Sequence, residues 1–357
     1  MWISKIFTVF IFLSCGLAVR AQDSLLSGKE LVQAHRFAET YAMMGNYKMA
    51  ISIYKQLIEL SPENMQLKTE LGNAYYMSAD YNNAVTTLSP LLDMPNVTYK
   101  AYEILAATQL AQKNIKESKI TTNKGLTKFE RSGALYHMRG NIEANQEHTA
   151  LALQNWINGI EAQPQYAPNY KAAATAYLET TEPLWGILYA ESYLAMPHDS
   201  TGDAELKTKL YNGWTTFFDH ITDKNEPETP FESAVRKLYL QLSPSVSDGI
   251  GVENLTMVKT RFLMEWMTDH ASAYPFELFN YQDQLIRNGW MDVYSEELYG
   301  MNESKNQYDA WNRFHINDIH RFHNWQAYHY FRPGRVTVLY NKSDEKMNRL
   351  FPKKKKR

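Results

Sequence analysis

The stretch WNRFHINDIHRFHNWQAYHYF, Trp311–Phe331, gathers four histidines and seven aromatic residues. Four imidazoles could ligate a metal ion, and helical geometry decides whether they converge. At about 100° per residue Trp311, Phe314, Phe322, Trp325 and Tyr328 share one stripe, whereas His315, His320, His323 and His329 spread over about half the circumference. The stripe is expected to be core. Among these histidines His320 and His323, three apart, are the pair that could share an ion, and two ligands would still need carboxylates from elsewhere. The expectation is therefore no metal and no cofactor. Asp318, beside the stripe, can accept an indole N–H or pair with Arg321. The motifs that usually carry catalysis are missing: the sequence holds no HExxH, GxSxG elbow, P-loop or calcium loop, and Gly249-Ile250-Gly251 lacks the third glycine of a dinucleotide loop. A non-enzymatic protein is expected. The alternative class is a glycan-active one, because two carboxylates and an aromatic platform suffice for that chemistry.

The ends of the chain restrict the chemistry further. MWISKIFTVFIFLSCGLAVRAQD places Lys5 before an apolar run from Ile6 to Leu13 and a small-residue site at Ala21/Gln22, which reads as an export signal over residues 1–21. The run is shorter than the ~20 residues that span a bilayer, which argues against an uncleaved anchor. Phe12 stands where lipid attachment at Cys15 would want a small aliphatic residue, so cleavage is favoured over a lipid anchor. Cys15 is the only cysteine, and the processed chain has no disulfide, thiolate ligand or thiol nucleophile. Removing residues 1–21 takes Lys5 and Arg20 and no acids, leaving 35 basic against 39 acidic residues, a formal charge of −4. No nucleic-acid partner is expected from that balance. The basic end PKKKKR belongs to a tail, 341–357, expected to be disordered and solvated, with attraction to an anionic membrane surface or glycan as its alternative role. An exported, bacterial, periplasmic or outer-membrane-associated protein is expected.

The elements that must hold any site repeat themselves. Frames starting at Leu31, Met65, Tyr99, Gly133 and Ala167 step by 34 residues without insertion. The eighth position reads Ala38, Gly72, Ala106, Gly140, Ala174, and the twentieth reads Ala50, Ala84, Ser118, Ala152, Gly186. Only small residues occur, as two helices in close contact require. Gly45, then Asn46-Tyr47, supplies the first turn, and Ala79-Asp80-Tyr81 the second. Pro62, Pro95, Pro164 and Pro197 stop second helices. The third copy lacks that proline and carries Gln109, Lys113 and Thr122 against the pattern, so it is expected to be looser or to hold a special contact.

This pattern resembles the tetratricopeptide repeat family over residues 31–200, in copies 31–64, 65–98, 99–132, 133–166 and 167–200. The resemblance implies an all-α fold, a tetratricopeptide-repeat α-solenoid of five helix–turn–helix repeats, followed by a helical C-terminal domain. It also implies a concave face lined by positions two, five, nine, twelve and thirteen of each copy. Those positions include Val32, His35, Glu39 and Met43 in copy one, Thr69, Asn73, Tyr76 and Met77 in copy two, and Glu103 in copy three. Copies four and five supply His137, Asn141, Pro168, Lys171, Thr175 and Glu179. Thr69, Asn73, Tyr76, Glu103, His137, Asn141 and Lys171 are the candidates for holding a protein or peptide ligand. A clamp for a terminal carboxylate is disfavoured, because position five of copy two is Thr69 rather than lysine.

Beyond residue 200 the 34-residue frame fails. Leu206, Leu210, Trp214 and Phe217 lie on one side of a helix suited to cover the last repeat. Helices are expected at Phe231–Leu242, Glu253–His270, Tyr274–Asn288 and Ser304–Tyr330 within an aromatic-rich domain, 201–340, that ends in a turn and a short strand at RPGRVTVLY.

Overall fold

The computed structural model describes residues 28–198, 200, 202–223 and 229–334; Cys15 and the segments expected to be an export signal, a short strand and a basic tail lie outside them. Among the described residues every regular element is helical, and none is long and apolar enough to cross a membrane. The chain divides into two compact units, 1–78 and 79–357.

The first unit contains α1 (Gly28–Met43), α2 (Tyr47–Leu60) and α3 (Met65–Met77). Asn46 and Asn64 cap α2 and α3 by accepting from the Met49 and Leu67 amides. Ala38 and Ala50 are fully buried where α1 and α2 cross, as positions eight and twenty require.

The second unit opens with α4 (Tyr81–Leu88), whose last turn tightens into a 3₁₀ helix at Ser89–Asp93 because Pro90 has no N–H to give. Three hairpins follow: α5 (Tyr99–Ala111) with α6 (Ile115–Lys128), α7 (Gly133–Ala144) with α8 (Thr149–Ala162), and α9 (Ala167–Leu178) with α10 (Leu184–Ala195). Helices α3, α5, α7 and α9 begin on the first residues of the 34-residue frame. The turns keep the same step. Gly45, Ala79, Lys113 and Glu147 all take left-handed backbone, at φ 75°, 60°, 64° and 59°. Among the described residues the fold is thus all-α, with helical hairpins on a 34-residue step followed by a helical C-terminal region.

Copy three closes with polar contacts. Ser118, at the small position of α6, donates to the Ala106 carbonyl of α5 at 2.7 Å, and Thr121 donates to the Gln109 side chain at 2.8 Å. Of the residues that broke the pattern, Gln109 thus gains a partner across the hairpin, and Thr122 donates to the Ser118 carbonyl of its own helix at 2.8 Å. In copy four the contact is tighter, since a Cβ on Gly140 would sit 2.2 Å from the Trp156 indole nitrogen.

The C-terminal region begins with α11 (Asp203–Asp219), whose Leu206, Leu210, Trp214 and Phe217 are buried against α9 and α10. Then come α12 (Pro230–Leu242), α13 (Val252–Asp269), α14 (Glu277–Arg287) and α15 (Met291–Ser295). Helix α15 runs through a π turn at Glu296–Gly300 into α16 (Met301–Glu303), a segment not anticipated from the sequence. The last two helices are α17 (Lys305–Phe314) and α18 (Ile316–Tyr328). One apolar core runs from Ala152 of copy four to Phe331, so the last two repeats and the C-terminal region share their interior.

Two expectations for the histidine-rich stretch are corrected. The single helix Ser304–Tyr330 is broken at His315, which ends α17 and lets Asp318 accept from its ring at 3.1 Å. A break resets the phase, so one stripe cannot run through both helices. Phe322 is buried, but Phe314 and Tyr328 are each 86% exposed.

The core of the C-terminal region also holds a charge pair. Glu191 of α10 and Lys259 of α13 are 2% and 1% exposed. One Glu191 oxygen accepts from the Lys259 ammonium and the Tyr299 hydroxyl, each at 2.6 Å, and from the Trp214 indole at 3.2 Å. The other accepts from Gln282 at 2.6 Å. Burial pulls the Lys259 pKa below its ordinary value against the attraction of Glu191.

Candidate functional site

The candidate site lies in the second unit, where the first helices of copies four and five face outward. A cavity of about 720 Å³ is lined there by His137 of α7, by Pro168, Lys171, Thr175 and Glu179 along α9, and by Tyr193 and His198 beyond. Five of these are positions that the repeat assigns to the concave face. They share one side because residues three and four apart on a helix align, and α9 reads proline, lysine, threonine and glutamate at that spacing.

Tyr166, in the turn before α9, joins the copies. Its hydroxyl donates to Glu103 of α5 at 3.3 Å, and its ring meets His137 edge-on at 6.0 Å. Burial raises the Glu103 pKa above the usual carboxylate range against the Tyr166 hydrogen bond, and burial also raises that of the Tyr166 hydroxyl. Burial pushes the His137 imidazole down to about 4, against a smaller opposing pull from Asn169, so the ring is neutral near pH 7. His137 Nδ1 and Asn169 Oδ1 are shut off from solvent and make no hydrogen bond of good geometry, and Asn169 lies under the surface, where its Nδ2 donates to the Gly133 carbonyl at 2.9 Å. The far wall is a stack: Lys171 Nζ lies 5.3 Å over the Tyr193 ring, which packs 4.0 Å from His198. His198 is held on both ring nitrogens, by the Met196 carbonyl at 2.6 Å and Asp203 at 2.8 Å.

The sequence-derived candidates divide between the units. Glu103, His137 and Lys171 gather around Tyr166 and the cavity, while Asn141 is engaged by the Trp156 indole at 3.2 Å. In the first unit Asn73 is exposed and Tyr76 half-buried on α3. Thr69 departs from the expectation. It is buried, and its hydroxyl donates to the Met65 carbonyl of its own helix at 2.8 Å, so it presents no free hydroxyl to an open face. The same face of the first unit exposes Val32, Met43 and Met77. His320 is exposed, and His323 is taken by Glu297 at 2.6 Å, so these two do not gather a ligand set. Sequence reasoning missed Tyr166, Tyr193 and His198. Tyr166 carried a signal, since it stands in the turn that delivers α9, but its reach back to Glu103 depends on the stacking of hairpins.

A second cavity, of about 970 Å³, lies in the C-terminal region between α13, α15 and the break at His315. Trp290, Trp311, Asp292, Glu296, Asp318 and Arg321 are among its lining residues. The Trp311 ring stacks on His315 at 4.6 Å. Burial, with Glu303 nearby, raises the Glu296 carboxyl above its usual range, whereas hydrogen bonds from Arg321 and His315 hold Asp318 below it.

No family model matches the chain. A 100-residue stretch, 26% of this chain, is 37% identical to a Bos taurus protein described as BBSome complex member BBS4, and spans 18% of that protein's length. Among solved structures, one of MamA overlaps 44% of this chain and 92% of its own, at 17% identity and a TM-score of 0.35. MamA from residue 41 to the end, of Desulfovibrio magneticus RS-1, overlaps 47% and 94% at 12% identity and 0.36. Likenesses this distant carry no argument about function, which rests on the chain's own residues.

Proposed function

We propose that this protein is a non-enzymatic interaction scaffold, exported to the bacterial envelope, whose cavity on copies four and five takes an extended segment of a partner protein. The observation that carries the reading is the cavity itself, lined by five concave-face positions and walled on its far side by the Lys171–Tyr193 stack. A segment laid along α9 can offer backbone amides to the Glu179 carboxylate while its side chains meet the Lys171–Tyr193 stack. The envelope location rests on the reading of residues 1–21. Affinity purification from envelope extract tests the proposal, comparing the protein with a Thr175→Arg, Glu179→Arg variant. A retained protein that the variant loses is the expected result; equal recovery by both would contradict it.

A saccharide at the second cavity is the alternative reading, favoured by Trp290 and Trp311 beside two carboxyls whose proton affinities are pushed apart. Its signature would be a hit on a polysaccharide array that Trp311→Ala abolishes and the α9 variant leaves intact.

A further inference from the structure

The first unit holds a cluster that the scaffold reading does not use. His35 and Glu39 stand one turn apart on the same face of α1, and Glu70 reaches them from α3. One ligand atom from each, the His35 imidazole nitrogen and a carboxylate oxygen of Glu39 and of Glu70, lie within 4.8 Å of one another. His35 Nε2 hydrogen-bonds to Glu70 and is 3.9 Å from Glu39 Oε1. We propose that these three side chains form a binding site for a divalent transition-metal ion of the zinc class.

Zinc binds nitrogen and oxygen donors at about 2.0–2.2 Å, which sets donors roughly 3–3.5 Å apart, so small side-chain rotations complete the set. Two carboxylates and a neutral imidazole balance a doubly charged ion, and among the described residues neither carboxylate pairs with lysine or arginine. The outer shell is in place. Gln66 donates to Glu70 Oε1 at 2.8 Å, leaving Oε2 for the ion, and the ring of buried Tyr54 meets His35 edge-on at 6.2 Å. Side-chain exposures of 24% for His35, 46% for Glu39 and 24% for Glu70 allow an ion to enter and leave positions for water. Calcium would want six to eight oxygens and copper(I) would want sulfur, so the donor set favours zinc. The ion would tie the first helices of copies one and two together.

Isothermal titration of the chelator-stripped, untagged protein with Zn²⁺ tests the site, alongside Glu39→Gln, His35→Gln and His323→Gln, with folding checked by circular dichroism. Expected are one equivalent of saturable binding, a loss of at least about tenfold in affinity in each of the first two variants, and unchanged binding in His323→Gln. Glu39 is the most exposed of the three, so its variant is expected to keep the fold. Absence of saturable binding, binding unaltered in Glu39→Gln, or binding lost in His323→Gln would overturn the proposal.

Discussion

At the scale of single residues, Glu191 and Lys259 form the most deeply buried ion pair among the described residues. Removing one partner of a buried pair strands the other's charge, so Lys259→Met is expected to cost about 3–5 kcal/mol in urea unfolding. Replacing both, Glu191→Leu with Lys259→Met, still leaves Trp214, Tyr299 and Gln282 without their acceptor but is expected to cost less than the sum of the two single changes, and an additive double variant would contradict the pairing. The two residues are 68 positions apart, and Tyr299 is 108 from Glu191. No local pattern announces such a network, and Lys259 alone reads as an ordinary helix lysine. His137 is different, because the repeat frame had already placed it on the concave face. Its pKa falls from the ordinary 6.5 to about 4 on folding. The unfolded chain therefore takes up a proton that the folded one refuses, and stability declines as pH drops from about 6.5 toward 4. His137→Gln should remove that component and flatten the stability profile between those limits, as read by denaturant titration at stepped pH.

At the scale of elements, the left-handed turns give a sharp expectation. Non-glycine residues strain in that backbone, so Lys113→Gly and Glu147→Gly are each expected to stabilise by up to about 0.5–1 kcal/mol, while Gly45→Ala destabilises by a similar amount. Gly140→Ala should be worse, because the added methyl drives into Trp156, and thermal unfolding would order these variants. The hairpins were legible because helix crossing, turn and stop each demand a residue type at a fixed step. The C-terminal elements obey no such period. Gly300 looks like a helix breaker, yet it sits inside the run from α15 to α16 because a Cβ there would lie 2.6 Å from the Tyr308 ring. The break at His315 depends on a local hydrogen bond to Asp318 that competes with continuing the helix, and periodicity does not reveal that competition.

At the scale of the molecule, the shared core of copies four and five with the C-terminal region changes what a truncation would mean. A chain ending at Ser200 would expose Trp185, Tyr189 and Tyr193, all buried in the intact protein. It is expected to lose the cooperative unfolding of α9 and α10, seen as loss of near-ultraviolet circular dichroism, and with it the cavity. The sequence showed where the repeat frame ends but not that the core continues past it, since a core forms from tertiary contacts that the frame does not encode. The cavity along α9 is where the partner is proposed to bind. Site-specific photocrosslinking in cells tests this most directly, with the crosslinker placed at Glu179 in the cavity or at exposed Lys116 on α6. A discrete adduct from Glu179 that is absent from Lys116 is the expected result. Equal adducts from both positions, or none from Glu179, would contradict it.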